Sequence, residues 1–515
     1  MKQQCVILGS GLGGLSSGVL LARNGFNVTI LEQASRVGGC LQCFVRNGVK
    51  YETGMHVVGS LDQGQILSNY LNLLGIKDSL KFSRLDTAAY DIVSLQGSRF
   101  SFANGREPFI ESLARTFPSQ RDALGKYCDL VESVASCSPF YSLNTPRNVL
   151  NPDLAMRSIN SVIDDTIPDP LLRDVLVGNL SLYAAQRDTT PFSTHAFIRD
   201  LYNRSAFRIV GGGETVAKAL LSELERYGGR VLTGQRAVKI LSQNGLASAV
   251  CTHTGDNFPC DLLISDIHPS QLLQMLDDSA IRAPYRQRIQ ETANTPSVFS
   301  LFLHFKPHSV PYLNSNFYGF LSPSPWHMHP LAADKPWPQG YLYMHHCHEQ
   351  SPRFAESAVV MAYMDMSQLS QWSATTVGHR GDAYDAWKKT AAQHLLQALE
   401  HDFHGISAHI QDYHCATPLT YRDYTLTPEG SIYGMAKDVR RGISGRISYK
   451  TKLSNLLLVG QNINAHGILG VLVGSLNACS HVLGDDKIRQ LMLSSNSTTQ
   501  PLNNSTPQHL LLVAV

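Results

Sequence analysis

The sequence predicts an α/β fold, in which a Rossmann-type nucleotide-binding domain is interrupted by insertions that build a second, α+β domain. Three observations predict this arrangement. The chain opens with an apolar run, a glycine-rich turn and a helical pattern, and a second apolar run follows. Glycine turns joined to helical patterns return near residues 211 and 460. Strand patterns and one long helical pattern fill residues 296–425, between those two returns.

The first predicted element is a buried parallel strand formed by the apolar run Val6-Ile7-Leu8. A glycine pattern follows, spaced as Gly-x-Gly-x-x-Gly, and then a helical pattern. The first glycine lets the backbone turn off the strand, the second lets it approach a diphosphate, and the third lets helix and strand pack closely. The amino end of the helix would then present free N–H groups to the phosphates. The candidate binding residues of this segment are Gly9, Gly11, Leu12, Gly13 and Gly14.

An acidic residue ends the second predicted strand. Gly25 ends the helix, "NVTILE" follows as the strand, and Glu32 is its last residue. A carboxylate about 20 residues beyond the glycines accepts hydrogen bonds from the ribose hydroxyls of an adenine dinucleotide. It would repel a 2′-phosphate, which argues against the phosphorylated nicotinamide cofactor at this site. NAD and FAD remain as alternatives at this point.

Composition limits the range of partners. The formal net charge of the 515 residues is +2 and 16% of them are charged, so a nucleic-acid partner is not expected. The sequence begins with no signal-like segment, and no apolar run reaches the roughly 20 residues that span a bilayer. Ten scattered cysteines are typical of a reducing compartment rather than of a disulfide scaffold. We expect a cytoplasmic protein that can contact a membrane peripherally.

Two segments after the second strand resemble those of a flavoprotein family. "LEQASRVGG" is similar to the glycine-pair signature of flavin amine oxidases and carotenoid desaturases. "YETGMHVVGS" resembles more narrowly a segment of retinol saturases, carotenoid isomerases and phytoene-desaturase-like proteins. The resemblance implies FAD as the cofactor. It adds as cofactor-binding residues Gln33, Arg36, Gly38, Gly39, Gly54, Met55 and His56.

The resemblance extends to a segment near the middle of the chain. The helix that opens at "GGGE" and the strand-turn-strand pattern "RVLTGQRAVKIL" are similar to the family's return to the cofactor domain. Backbone around Val238 would there meet the adenine. In "CDLLISDIHPSQLL", which follows, we interpret Asp266 and His268 as turn residues rather than catalysts.

A third cofactor segment, "NLLLVGQNINAHGILGVLVGS", reads as strand, glycine turn and helix. Related flavoproteins usually carry an aspartate after the turn glycine, where it holds the ribityl chain. Here Gly460 is followed by the neutral amides Gln461 and Asn462, which can still hydrogen-bond the ribityl hydroxyls. The helix N–H groups expected to face the pyrimidine end of the flavin, and to stabilise negative charge there, are those of Gly470, Val471 and Leu472.

These segments give a domain organisation in which both domains are discontinuous. The FAD-binding domain would comprise residues 1–61, 201–295 and 426–493. The substrate domain would comprise residues 62–200, which are helix-rich, and 296–425, which read as an antiparallel sheet with helices. Residues 494–515 are polar and low in complexity and are expected to be a flexible tail.

The resemblance implies an FAD-dependent oxidoreductase that acts on carbon–carbon double bonds of a polyene or isoprenoid lipid, most like the retinol saturases. A carotenoid desaturase, a cis-trans carotenoid isomerase and, more distantly, a flavin amine oxidase are the alternatives; a non-catalytic flavin-binding protein is a further one. Only one complete dinucleotide fingerprint is present, so an NAD(P)H donor would bind transiently. Saturating a double bond requires a proton donor beside the flavin. His56 is the first candidate for that role and His466 the second.

Two other groups of residues invite functional interpretations. Cys40-Leu-Gln-Cys43 has the spacing of a thiol redox centre, but two small packed thiols are the commoner outcome. The run His345-His346-Cys347-His348 and the pair His327 and His329 suggest a zinc site. Successive side chains on a strand point to opposite faces, so adjacent histidines cannot all bind one ion. We therefore expect no metal centre.

Overall fold

The computed structural model describes residues 2–137, 151–329, 336–347, 352–442, 446–463 and 465–497. Its strands are β1 Gln4–Leu8, β2 Asn27–Leu31, β3 Cys43–Arg46, β4 Val49–Glu52, β5 Val58–Gly59, β6 Phe82–Arg84, β7 Asp91–Leu95, β8 Ser98–Phe102, β9 Ala206–Ile209, β10 Arg230–Leu232, β11 Ala237–Gln243, β12 Leu246–Thr252, β13 Asn257–Pro259, β14 Leu262–Ser265, β15 Ser297–Phe305, β16 Asn316–Phe320, β17 Gly340–Cys347, β18 Ala355–Met364, β19 Ile410–Ala416 and β20 Leu456–Leu458. Its α-helices are α1 Leu12–Arg23, α2 Ile66–Leu73, α3 Arg106–Ala114, α4 Arg121–Ser136, α5 Pro152–Ala155, α6 Ile159–Thr166, α7 Pro170–Leu176, α8 Phe192–Arg204, α9 Gly213–Arg226, α10 Pro269–Gln274, α11 Ala283–Glu291, α12 Asp382–Asp402, α13 Pro418–Thr425, α14 Gly467–Leu483 and α15 Asp485–Ser497.

A five-stranded parallel sheet carries the predicted nucleotide-binding architecture. Its order is β10-β2-β1-β14-β20, and all four pairings are parallel. The strands come from three separate stretches of the chain, as the sequence predicts. Because parallel strands place their carboxyl ends at one edge, the turns after β1, β2, β14 and β20 lie together there. This edge is where a dinucleotide is expected.

Helices α1, α9 and α14 cover the sheet and pack closely on one another. Within α1, a Cβ built on Gly18 would lie 3.1 Å from Ile30 Cδ1 in β2 and 3.4 Å from Leu224 Cδ1 in α9. On the side of α14, the hydroxyl oxygens of Ser16 and Ser475 are 2.9 Å apart. The apolar segments of the sequence thus meet in one core around the sheet.

A seven-stranded sheet forms the second part of the molecule, with the order β19-β15-β18-β17-β16-β7-β8. Its pairings are antiparallel except that between β16 and β7, which is parallel. Strands β7 and β8 come from the first insertion and the other five from the second. Helix α12 packs on one face, where Ala391, Leu395 and Leu399 are buried against Phe299 and Leu301. The α+β architecture predicted for the inserted segments is confirmed.

Three smaller sheets complete the described fold. Strands β11, β12 and β13 form an antiparallel sheet, β3 pairs with β4, and β9 lies between β5 and β6. Strand β5 precedes the first insertion and β9 follows it, so the pairing of β5 with β9 brings the two ends of that insertion together. Strand β6, within the insertion, pairs with the other edge of β9. No helix in the described part of the chain is long and apolar enough to cross a bilayer.

The boundary predicted for the flexible tail, residue 494, lies inside a helix. Helix α15 continues through Ser497, so residues 494–497 are helical. Tertiary packing overrides the polar composition here: Ile488 and Met492 are buried, and the Asn72 side chain in α2 donates to Asn496 Oδ1 at 2.9 Å. Residues 498–515 lie outside the described residues, and so do His348 and Asn464.

Candidate active site

A cavity of about 1320 Å³ opens at the carboxyl edge of the parallel sheet and reaches the seven-stranded sheet. Most of the residues predicted to bind the cofactor lie in its wall. Those residues are Gly9, Gly11, Leu12, Gly13, Glu32, Gln33, Arg36, Gly38, Gly39, Gly54, Met55, His56, Val238, Gly460, Gln461, Asn462 and Val471. Residues from three distant stretches of the sequence are therefore brought to one elongated site.

The glycine turn after β1 has the geometry that its spacing predicts. Gly9 has a φ of 91°, which side chains disfavour. Helix α1 begins at Leu12, and its N-cap residue Gly11 has no side chain that could accept a hydrogen bond from the first turn. A Cβ on Gly14 would collide with the carbonyl oxygen of Gly9, so this glycine serves the packing of helix on strand. The N–H groups at the amino end of α1 suit an anionic ligand, although that of Gly14 already donates to the side chain of Asp266.

The Glu32 carboxylate is held at the cavity wall by backbone and hydroxyl donors. The N–H of Ser10 donates to its Oε2 at 2.9 Å, and the Ser10 hydroxyl donates to the same oxygen at 2.7 Å. The N–H of Ala34 donates to Oε1 at 2.8 Å. Oε1, which accepts only one of these bonds, keeps capacity for a ribose hydroxyl, and this fits the predicted adenosine contact. The contribution of Ser10 was missed because it lies inside the glycine motif.

Asp266 reaches the glycine turn after β1 with its side chain. It follows β14, and its Oδ2 accepts the N–H of Gly14 at 2.9 Å. Burial raises the pKa of this carboxyl group to about 7, and the neighbouring Glu32 adds to the rise. Asp266 lies in the turn after β14, as interpreted from the sequence, but its side-chain contact with the glycine turn was not foreseen. His268 does act locally, since its side chain accepts the N–H of Ser270 at the start of α10.

The part of the cavity wall beside strands β15, β17 and β18 is apolar, whereas strand β19 of the same sheet contributes Asp412 and His414. Side chains from β15, β17 and β18 and from the loops facing them contribute to the apolar part. They are Leu182, Val298, Phe302, Met328, Leu342, Met344, Met361, Tyr363, Ile432 and Tyr433. An apolar chamber that continues from a dinucleotide cleft suits an elongated hydrocarbon ligand. Sequence patterns placed these strands in a substrate domain but did not identify the individual lining residues.

His56 belongs to a buried cluster of groups without hydrogen-bond partners. Its Nδ1 lies 3.3 Å from Glu52 Oε2, and the side chains of His56 and Glu52 are only 9% and 11% exposed. Within the described residues, neither ring nitrogen of His56, nor Glu52 Oε2, nor His346 Nε2 has a hydrogen-bond partner. One potential metal-ligating atom from each of Glu52, His56 and His346 lies within 4.8 Å of the other two. They form the one group in the described structure that meets the spacing of a metal site.

The charge beside this cluster opposes a metal cation. The Arg208 guanidinium donates to the backbone oxygen of His56 at 3.4 Å and to Asn316 Oδ1 at 3.3 Å. Burial, and then this guanidinium, lower the pKa of His346 well below its usual range. A fixed positive charge at this place disfavours a divalent ion. His345, which precedes His346, points to the opposite face of β17. There its Nδ1 accepts the N–H of Leu313 at 3.0 Å.

His466 occupies the N-cap of α14, and its ring lies 4.4 Å from that of Tyr433. Burial, followed by the charge of Lys437, lowers the pKa of His466 to about 3. The imidazole is therefore neutral near pH 7 and is poorly suited to donate a proton. His466 is not among the residues that line the cavity.

The first residue of α14 shows that the backbone N–H groups expected to face the flavin were assigned too far along the chain. The helix begins at Gly467, so the N–H groups of Gly470, Val471 and Leu472 are used inside the helix. The free N–H groups are those of residues 467–469. Gly467 and Ile468 line the cavity, whereas Gly470 and Leu472 do not. A Cβ on Gly470 would lie 2.7 Å from Ala465 Cβ, so this glycine permits close packing instead.

The cysteine pair lines the cavity without the features of a redox centre. All ten cysteines of the chain are free thiols. Desolvation, and then the Asp266 carboxyl, raise the pKa of Cys40 to about 11. Desolvation also raises the pKa of Cys43. Reactive thiols need a lowered pKa, so both are expected to be inert.

Comparison with known proteins places the chain among flavoproteins. Residues 12–400 match the family model described as flavin containing amine oxidoreductase. All-trans-retinol 13,14-reductase of Rattus norvegicus is 26% identical over 94% of this chain and 86% of that protein. 4,4'-Diapolycopene oxygenase of Methylomonas sp is 22% identical over 90% of this chain and 95% of that protein. An oxidoreductase structure from Methanosarcina mazei, 16% identical, covers 92% of this chain and 99% of its own with a TM-score of 0.64. The predicted fold class and resemblance are confirmed.

Proposed function

This chain belongs to the family of flavin-containing amine oxidoreductases, and from that premise we propose that it is an FAD-dependent oxidoreductase acting on carbon–carbon double bonds of a polyene or isoprenoid lipid. The activity proposed is most like that of all-trans-retinol 13,14-reductase, the name carried by the rat relative. The observation that carries the substrate class is the apolar chamber that continues the dinucleotide cleft. Both named relatives act, by their names, on retinoid or carotenoid polyenes.

The cleft fits FAD. Collisions that a Cβ would cause at Gly13 and Gly14 mark backbone reserved for close approach and packing at the turn. The Glu32 carboxylate is oriented for the adenosine ribose, and Val238, in the same cavity wall, is proposed to meet the adenine. Gln461 and Asn462 line the part of the cavity proposed for the ribityl chain. A bound flavin would supply or accept the hydride that this chemistry requires.

His56 is proposed to hold the proton that complements hydride transfer. Saturation delivers a hydride to one carbon and a proton to its neighbour, and desaturation runs both steps in reverse. Glu52 Oε2, 3.3 Å from Nδ1, would orient the imidazole, and neither ring nitrogen has a hydrogen-bond partner within the described residues. His346 stays neutral, and His466 is set aside as the proton donor because its pKa is too low.

Two partners complete the proposal. An NAD(P)H donor, or another external donor or acceptor, would exchange electrons transiently, because a second dinucleotide fingerprint is missing from the sequence. The substrate, being apolar, would be collected at a membrane surface or from a carrier, which fits a cytoplasmic enzyme with peripheral membrane contact. Liposome flotation with and without substrate tests the membrane contact.

Anaerobic half-reactions test the proposed function and separate its alternatives. The FAD-loaded protein, reduced with dithionite, is mixed with all-trans-retinol or a carotene, and the flavin spectrum and product masses are followed. Reoxidation of the flavin with a product two hydrogens heavier supports a saturase. Bleaching of the oxidised flavin by a polyene identifies a desaturase, and isomerised product without net flavin change identifies an isomerase. Bleaching by an amine, with no response to any polyene, overturns the proposal.

A further inference from the structure

Asp266 brings a carboxyl group into the glycine turns of the proposed FAD site. Its backbone N–H donates to the carbonyl oxygen of Leu8 at 2.9 Å, which aligns the end of β14 with the end of β1. Its Oδ2 accepts the N–H of Gly14 at 2.9 Å. The side chain is therefore aimed at the amino end of α1, where the fingerprint positions a diphosphate.

The carboxyl group fills space that three glycines leave open. A Cβ built on Gly11 would lie 2.5 Å from Asp266 Oδ2, and those built on Gly13 and Gly460 would collide with Oδ1. Asp266 and these three glycines all line the cavity. An anion bound on the glycine turns would therefore lie directly against this carboxyl group.

The surroundings disfavour a charge on Asp266 even before an anion binds. Burial is the main cause that raises its pKa to about 7, and the Glu32 carboxylate at the end of β2 adds to it. The N–H groups of Gly14 and Gly13 oppose the rise. Cys40 is the other titratable group that interacts with Asp266, and its thiol is neutral near pH 7. A diphosphate would add two negative charges to this environment and favour the neutral carboxyl further.

We infer that Asp266 is a cofactor-binding residue that meets the FAD diphosphate in its protonated form. The inference rests on the proposed function. One oxygen of the protonated group accepts the N–H of Gly14, and the O–H of the other donates to a diphosphate oxygen. An ionised carboxylate would repel the diphosphate in a site largely removed from water. Wherever Asp266 is ionised in the FAD-free protein, FAD binding must take up one proton.

Calorimetric titration of the FAD-free full chain with FAD tests this linkage. Titrations in two buffers of different ionisation enthalpy give the number of protons taken up, from about pH 6 to about pH 9. We expect uptake to rise from near zero to about one, and the dissociation constant to increase about tenfold per pH unit above about pH 7. Asp266→Asn should bind FAD with no proton uptake and a flat pH dependence, because an amide donates without titrating. Asp261→Asn is the matched control, since Asp261 precedes the same strand and accepts the N–H of Gln4 far from the cavity.

Three results would overturn the inference. They are FAD binding by the wild-type chain without proton uptake above about pH 7, retention of that uptake in Asp266→Asn, and its loss in Asp261→Asn. If Asp266→Asn does not fold, the wild-type proton count alone decides. Failure of the wild-type chain to bind FAD at any pH would instead overturn the proposed function.

Discussion

The Nδ1 atom of His56 lies 3.3 Å from the Oε2 atom of Glu52, four residues earlier in the chain. Both side chains are about nine-tenths buried, and neither atom has a hydrogen-bond partner in the described residues. A carboxylate at this distance stabilises a protonated imidazole. The pair therefore forms a unit able to hold a proton at the wall of the cavity.

Replacing His56 should slow turnover without loss of flavin. Removal of a general acid costs on the order of 10²–10⁴ in rate, far more than loss of a packing contact. His56→Gln should keep the wild-type flavin spectrum and FAD content, while product formation from a reduced flavin falls by that factor. His394→Gln, an exposed change on α12, is the control. A His56→Gln enzyme of normal rate would contradict the assignment.

Metal analysis of the purified wild-type chain provides a second check on His56. A stoichiometric ion held by Glu52, His56 and His346 would exclude the proton-holding role.

Gly11→Ala should abolish FAD retention. The added methyl would lie 2.5 Å from Asp266 Oδ2, at the backbone proposed to meet the diphosphate. Gly125→Ala is the matched control, because that glycine lies inside α4 with nothing within 4 Å of its built Cβ. The control should retain FAD and gain up to about 1 kcal/mol of stability from helix propensity. Equal flavin content in both variants, measured by absorbance after gel filtration, would refute this prediction.

The double change Cys40→Ser and Cys43→Ser should leave most of the activity. The raised thiol pKa values make a thiolate relay to the flavin unfavourable. Steady-state rates with a polyene substrate check this expectation. An inactive double variant that keeps its FAD, together with an active His56→Gln, would instead establish a thiol mechanism.

Leu342→Phe should narrow the apolar chamber. The side chain lies on β17 in the cavity wall, and a larger one should raise KM for a long polyene while FAD content stays unchanged. Val360→Leu on neighbouring β18 adds bulk to the opposite face of the sheet, in the core under α12. That control should lower stability without a change in KM. Identical KM values for the wild type and Leu342→Phe would count against a substrate in this chamber.

Asp266 should also affect the stability of the FAD-free protein. Its folded-state pKa, about 7, lies above its ordinary value of 3.8, so the folded state holds the proton more tightly. The resulting stabilisation is complete below about pH 4 and is lost as pH rises through about 7. Urea unfolding across this range should show a steeper loss of stability with rising pH in the wild type than in Asp266→Asn, which keeps the contributions of Asp91, Asp174 and Asp200. The same slope in both proteins would contradict it.

Local spacing was enough to predict the turn from Gly9 to Glu32, because each contact there joins residues within one βαβ unit. Asp266 and His346 were not predictable in the same way. Asp266 reaches the turn only because β14 lies beside β1, and His346 reaches His56 only through the position of β17. Strand order across long insertions leaves no local signal in the sequence. The first residue of α14 was also misplaced from the sequence. The helix begins at Gly467, three residues earlier than expected, and Gly470 serves close packing instead.

The position of β20 at the edge of the parallel sheet, paired with β14, has a consequence for biosynthesis. The turn after this strand supplies Gly460, Gln461 and Asn462 to the cavity, although it is translated more than 400 residues after the first glycine turn. A ribosome-bound nascent chain that has emerged only as far as β19 lacks this wall. Such long-range pairing also forms slowly. We therefore expect flavin incorporation to be a late event, and we expect chains interrupted before β20 to lack flavin and to expose the edge of β14.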